Sequence, residues 1–327
     1  MSVNTPALPR RRLPLWWLAL PVFALLFALS LLIGAAELHL TQMTNRDIQI
    51  LLISRLPRTL ALVLAGMSLS VAGLLMQMLA RNRFVEPSTT GTVECAMLGL
   101  LLVTLLAPAM PVMGKMLIAS VFALAGSLVF MALLRAVPLH STVMVPLIGI
   151  MFGGVVGAVI AFIAYRLNLM QSVANWTNGD FSAILRGRYE LLWIGAALAV
   201  IAYFTADRFT VAGMGRDFAT NLGLSYRWVL LLGLAIVSMI SAVTVVTTGV
   251  IPFLGLVVPN VVSLMMGDHL RRSLPWVAIM GAALVLACDI IGRLLRYPYE
   301  IPIGTVFGVI GSAFFIYLLL RRTEARS

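Results

Sequence analysis

The chain has 327 residues, of which 61% are hydrophobic and 11% charged, with a mean hydropathy of +1.04. Soluble domains of this length run near ~45–50% apolar and ~25% charged, so the composition excludes a water-soluble enzyme and leaves no loop long enough for a soluble domain. Lysine and arginine number 23 against 12 aspartate and glutamate, for a formal charge of +11; these basic residues punctuate apolar runs, which reads as membrane orientation and not as nucleic-acid binding.

A bilayer span takes about 20 residues, and ten apolar windows of that order follow one another along the sequence. The first, Leu15–Ile33, follows Arg10, Arg11 and Arg12. It is longer than the ~7–15-residue core of a signal peptide, so it is expected to be a retained span behind a basic cytoplasmic tail, residues 1–12. The second, Leu60–Leu79, carries Gly66, Ser70, Gly73 and Gln77 on one helical face. Small residues at that spacing let helix backbones approach closely where lipid offers no hydrophobic drive. Cys95–Met113 and Met116–Val137 come next, then Val143–Tyr165 with Gly149, Gly153 and Gly157 four residues apart and Met151 among them. Packing within the chain is the plainer reading of these glycines, and a face lining a path is the functional one.

Leu191–Thr205 is short, and Trp228–Thr248 is divided from Val250–Met266 only by Gly249 and Pro252. Leu274–Ile291 and Ile301–Leu320, the latter with Gly304 and Gly308, complete the set. The expected fold is an all-α polytopic membrane protein of about ten spans, a single permease domain over 1–327 with both termini cytoplasmic. That orientation places 14 basic residues inside and nine outside, in the sense of the positive-inside rule. The surplus outside suggests an acidic partner on that face.

Few ionisable groups fall within the windows. Glu94 begins one and Asp289 ends another, four residues before Arg293, which is positioned to satisfy it. An almost uncharged interior argues against an ion-coupled secondary transporter, which keeps ionisable sites near the midplane. An intramembrane enzyme is disfavoured too, since His39, His140 and His269 all fall at window ends or loops; no catalytic residue is expected. The chain has no G-x-x-x-x-G-K-[ST] phosphate loop, so any ATP is bound and hydrolysed on another subunit and no cofactor is expected here. Cys95 and Cys288 read as buried thiols, and no His/Cys/Asp cluster offers a metal site.

Ordered motifs run from Arg55 to the carboxyl end. They are RLPR at Arg55 to Arg58, Ala65-Gly66, Ala72-Gly73, Gln77, Arg81-Asn82 and Glu86-Pro87. Later come GVIPFLGLVVPN from Gly249 to Asn260, GDH from Gly267 to His269, Asp289, Arg293 and EIPIG from Glu300 to Gly304. In these the chain resembles the FecCD family of ABC-importer permeases, the membrane subunits that import ferric siderophores, haem and vitamin B12. Two positions depart from the family pattern, Arg83 where Pro is common and Asn260 where His is common.

The resemblance implies a type II ABC importer in the bacterial inner membrane. A second permease, identical or paralogous, would share a path at the interface, above two ATPase subunits and beneath a periplasmic or lipoprotein substrate-binding protein. It implies that Arg55, Arg58 and Arg293 meet glutamates of the binding protein, a role that suits the planar, permanently charged guanidinium. Headgroup anchoring suits each arginine alone about as well. The inner loop 207–227 is similar to the family's coupling segment in Gly215, Arg216, Asp217, Ala219, Leu222 and Gly223, read as two short helices broken by glycine. Asn82 and Phe84, with Ser141 and Thr142, are placed as a cytoplasmic gate; Gly149, Gly153, Gly157 and Met151 as path lining. Trp176-Thr177-Asn178-Gly179 matches a feature at the outer mouth. The stretch from Arg81 to Glu94 looks most like siderophore permeases that work with a second, non-identical permease, so a ferric siderophore, with catecholates among the candidates, is favoured over haem or vitamin B12. The cargo would move as a whole chelate.

Overall fold

The computed structural model describes residues 16–34, 44–136, 143–267, 269–297 and 299–324. Helices make up nearly all of it, and no strand occurs among the described residues. In chain order the elements are α1 (Trp16–Leu32), α2 (Asn45–Ile50), α3 (Leu56–Leu79), α4 (Thr92–Leu106), α5 (Val112–Ala136), α6 (Met144–Arg166) and α7 (Met170–Thr177). After them come α8 (Leu192–Phe204), α9 (Ala206–Gly213), α10 (Arg216–Asn221), α11 (Tyr226–Thr247), α12 (Leu254–Met266), α13 (Leu270–Leu295) and α14 (Ile303–Glu324).

Five helices are long and apolar enough to cross a bilayer, α8 reaches that length only if α9, bent from it by 67°, is counted with it, and α1, α4, α12 and α14 are shorter apolar helices. Together they match the ten windows of the sequence. The α2–α3 rod is the centre: 78% of its most apolar stretch is buried, against 28% for α6, and α3 packs against α13, α11, α12 and α8. Its small residues account for this closeness. A Cβ on Gly66 would lie 2.7 Å from the Gly281 carbonyl oxygen, and one on Gly73 would lie 2.2 Å from the Gly255 Cα. Gln77, further along, donates from Nε2 to the Gly255 carbonyl at 3.2 Å. The predicted glycine face of this span is therefore an internal contact.

The rod begins at Asn45, fifteen residues before the hydropathy window opens at Leu60. Arg55, Pro57 and Arg58 look like a loop to hydropathy, yet a π-helical turn over Leu51–Arg55 carries the helix through them. Pro57 has no N–H for the carbonyl four residues back. That carbonyl, on Ile53, instead accepts from the Arg186 N–H at 3.0 Å. The freed backbone group thus ties the rod to the 178–191 link, an outcome expected for a proline inside a bilayer-spanning helix.

Candidate functional site

At one end of the bundle the three arginines of the RLPR and Asp289 motifs converge. Arg58 reaches Asp289 Oδ1 through Nη2 and Glu300 Oε2 through Nη1, each at 2.7 Å. Arg293 pairs with the other oxygen of Asp289 and donates through Nη1 to the carbonyls of Ser30, 3.1 Å, and Ile33, 2.7 Å. Arg55 donates to the Leu31 carbonyl at 2.8 Å and to that of Leu32. The last carbonyls of a helix have no intrahelical partners and carry negative partial charge, so Arg55 and Arg293 together cap α1. All three guanidiniums are turned inward: Arg55 and Arg293 are buried, and Arg58 is 12% exposed beside Glu300 at 25%. The i,i+4 pair of Asp289 and Arg293 was legible in the sequence. The Arg58 contacts were not, because Asp289 and Glu300 lie 231 and 242 residues away.

Nearby, the Trp176–Gly179 motif holds three segments together. The Trp176 carbonyl accepts from Val250 N–H at 3.0 Å, Asp180 N–H donates to Thr248 O at 2.9 Å, and the Gly179 carbonyl accepts from Gly304 N–H at 3.0 Å. Gly249, at φ +84, passes so close that a Cβ there would lie 2.7 Å from the Asn178 carbonyl. This link, not a membrane end, separates α11 from α12. The chain turns at Phe253, φ +63, and α12 begins inside the protein on the side chain of Glu86, which is 2% exposed. Glu86 Oε1 accepts from the Phe253 N–H at 2.7 Å and from the Ser88 hydroxyl. A carboxylate at a buried helix start satisfies free N–H groups that lipid cannot, which explains the Glu86-Pro87 motif.

Between α3 and α4, Asn82 folds over itself, its Oδ1 accepting from the Phe84 N–H at 2.8 Å. Asn260 donates from Nδ2 to the Arg83 carbonyl at 2.8 Å and to the Leu256 carbonyl at 2.7 Å, so one departure from the family pattern pins the other. The Phe84 ring meets Phe315 of α14 edge-on at 6.0 Å, and Phe315 stacks on Phe253 at 6.4 Å. Asn82 and Phe84 are thereby brought onto α12 and α14. Ser141 and Thr142, the other half of the expected gate, lie outside the described residues.

The predicted path-lining set divides. Gly149 and Gly153 face inward, where a Cβ would lie 2.1 Å from the Thr89 carbonyl and 3.2 Å from the Glu94 carboxyl carbon, respectively. A Cβ on Gly157 would have nothing within 4 Å, and Met151 is 66% exposed on the far side of α6. Two residues advance a helix by about 200°, so Met151 and Gly149 cannot share a face.

The expected pair of short helices is present as α9 and α10, broken at Met214 and Gly215. Gly215 stands at φ +121, a conformation reserved for glycine. Gly223, φ +77, ends α10 with its N–H on the Thr220 carbonyl at 2.9 Å. Arg216 and Asp217 are exposed, while Ala219 is buried against the bundle. Met214, Phe218 and Leu222 project outward instead, about half exposed each. Their four-residue spacing was available in the sequence, and it names two outward-facing apolar residues, Met214 and Phe218, that motif matching passes over. An exposed ion pair of Arg271 with Asp207, 2.6 Å, connects the start of α13 to α9.

Among the described residues no three His, Cys, Asp or Glu side chains gather as a metal site, and the buried Arg55, Glu86, Asp289 and Arg293 serve the protein's own helix ends or pairs. The chain is thus a polytopic helical bundle with a buried brace at one end and a glycine-hinged pair of short helices, α9 packed on the bundle and α10 largely exposed. The chain belongs to the FecCD transport family, which it matches over residues 22–321. It is 47% identical to the petrobactin import system permease protein YclN of Bacillus subtilis, over 90% of this chain and 94% of that one. It is 42% identical to the ferric-anguibactin transport system permease protein FatD of Vibrio anguillarum, covering 93% and 98%. The vitamin B12 import system permease protein of Serratia proteamaculans is 33% identical over 93% and 91%. The fold matches a solved metal-chelate type ABC transporter in an inward-facing conformation, with a TM-score of 0.78 over 93% of this chain and 97% of that one, at 22% identity.

Proposed function

We propose that this chain is the membrane-spanning permease subunit of a bacterial ABC importer that passes a ferric siderophore into the cytoplasm. The observation that carries the reading is near-full-length identity of 47% and 42% to permeases named for petrobactin and ferric anguibactin. Identity to the vitamin B12 permease is lower, 33%, which ranks a siderophore above vitamin B12. Both termini are assigned to the cytoplasm, and the Arg58 end to the outside.

Each end then has a partner. Met214, Phe218 and Leu222 on the hinged pair α9–α10 suit an apolar cleft on a separate ATPase, two copies of which would supply the free energy. At the outer end a binding protein is proposed to dock on the arginine platform. Arg55 and Arg293 hold its shape through the end of α1, while Arg58 exchanges Glu300 for a carboxylate of the partner. A second permease, identical or paralogous, is proposed to sit on the exposed side of α6 that carries Met151, with the path between the two. Supporting this, α6 is far less buried than α11, 28% against 72%, though equally apolar.

The test is iron-limited growth of a deletion strain on a panel of purified chelates. Loss of growth on ferric siderophore, with growth on iron salts kept and restored by the cloned chain, supports the reading. Unimpaired growth on every siderophore, with failure on haem or vitamin B12 alone, overturns it.

A further inference from the structure

A cavity of about 580 Å³ opens where α5, α10 and α11 meet. Three arginines converge on it from separate elements: Arg135 from the last turn of α5, Arg216 from the start of α10 and Arg227 from the start of α11. None of their guanidiniums has an ion-pair or hydrogen-bond partner among the described residues, and the adjoining stretch 137–142 contains no acidic residue. Arg135, Arg216 and Arg227 are all exposed, and three like charges around one hollow raise the local concentration of anions there. Elsewhere the wall combines an apolar strip of Leu128, Leu224, Leu230 and Leu231 with the hydroxyls of Thr220 and Ser225.

Two aromatic residues give the depth of this cavity. Tyr226 lines it, and Trp228, beside Arg227, is 74% exposed on the same first turn of α11. Tyrosine and tryptophan at helix ends mark the headgroup level of a bilayer. Leu128 is itself exposed one helical stretch inside that level, so the apolar wall faces acyl chains. A soluble anion would use the arginines and gain nothing from the leucines.

We infer that this cavity binds an anionic phospholipid of the adjacent leaflet, its phosphate between Arg135, Arg216 and Arg227 and an acyl chain along Leu128, Leu230 and Leu231. Guanidinium groups favour phosphate through paired, charge-assisted hydrogen bonds, and basic hollows between spans are a recurrent way to hold such headgroups. Because Arg216 opens α10, the bound headgroup ties the hinged segment to α5 and α11. The inference needs only the bilayer, so it stands or falls apart from the identity of the cargo.

The experiment is native mass spectrometry of the detergent-purified full chain after exposure to phosphatidylglycerol, phosphatidylcholine or inorganic phosphate. At about 1 kcal/mol per arginine near a lipid surface, retention of phosphatidylglycerol over phosphatidylcholine is expected to be roughly tenfold or more. Arg135→Gln with Arg227→Gln should erase that preference. Leu128→Trp, which fills the apolar wall and leaves every charge in place, should lower retention of both lipids. Equal retention of the two lipids by the unaltered chain, an unchanged preference in the arginine variant, or capture of inorganic phosphate that Leu128→Trp does not disturb, would each overturn the assignment.

Discussion

Asp289 is 1% exposed and faces two guanidiniums, so its single charge holds Arg58 and Arg293 at once. Removing one partner of a buried ionic group leaves the others uncompensated, at a cost of about 3–5 kcal/mol. Asp289→Asn is therefore expected to lower the thermal midpoint of the detergent-purified chain markedly. Glu300→Gln, at the more exposed rim, should cost below about 1 kcal/mol; a thermal-shift series comparing the two variants checks the ranking, which equal losses would contradict. Arg58→Glu should weaken binding-protein association in a salt-sensitive manner, read by titration at low and high ionic strength, and unchanged affinity at low salt would remove Arg58 from the docking surface. Arg55→Glu is a poorer probe, since it also uncaps α1.

Among the elements, the α2–α3 rod and α12 show what hydropathy does and does not reveal. Gly73 permits backbone contact with Gly255, while a Cβ on Gly157 meets nothing within 4 Å. Gly73→Leu forces side-chain atoms into backbone, beyond the ~1–3 kcal/mol of ordinary overpacking, and is expected to abolish the monodisperse peak in size-exclusion chromatography. Gly157→Leu should keep it; identical elution of both variants would contradict the helix packing described. The ten spans and the glycine face of α3 were legible because lipid imposes length and close packing imposes small residues. The extension of that rod back to Asn45 was hidden, because Arg55, Pro57 and Arg58 lower hydropathy while the Nη groups of the two arginines are held by α1, Asp289 and Glu300. So was the buried start of α12: nothing local announces that Glu86, 167 residues before Phe253, supplies its cap. The hinge at Gly215 was legible, but the outward turn of Phe218 and the inward turn of Ala219 needed the helix phase.

In the whole molecule the hinged segment and the arginine brace lie at opposite ends of one packed bundle, with α3, α11 and α13 running between them. Under the proposed function, motion at one end would reach the other through these helices, so that hydrolysis on a partner would open a path in a chain with no nucleotide loop of its own. Gly215→Val places a branched side chain at φ +121, a strain of about 1–3 kcal/mol. With Phe218→Asp, it is expected to lower chelate uptake per ATP hydrolysed roughly tenfold or more while leaving assembly of the bundle intact; full uptake in both variants would exclude α9–α10 as the coupling element. The central claim is that this chain conducts and does not drive. Its most direct test is accumulation of radiolabelled ferric siderophore in proteoliposomes holding the chain alone, or the chain with its ATPase and binding protein. Uptake against a gradient only in the complete set, and only with ATP, is the predicted result, whereas accumulation by the chain alone would contradict the account.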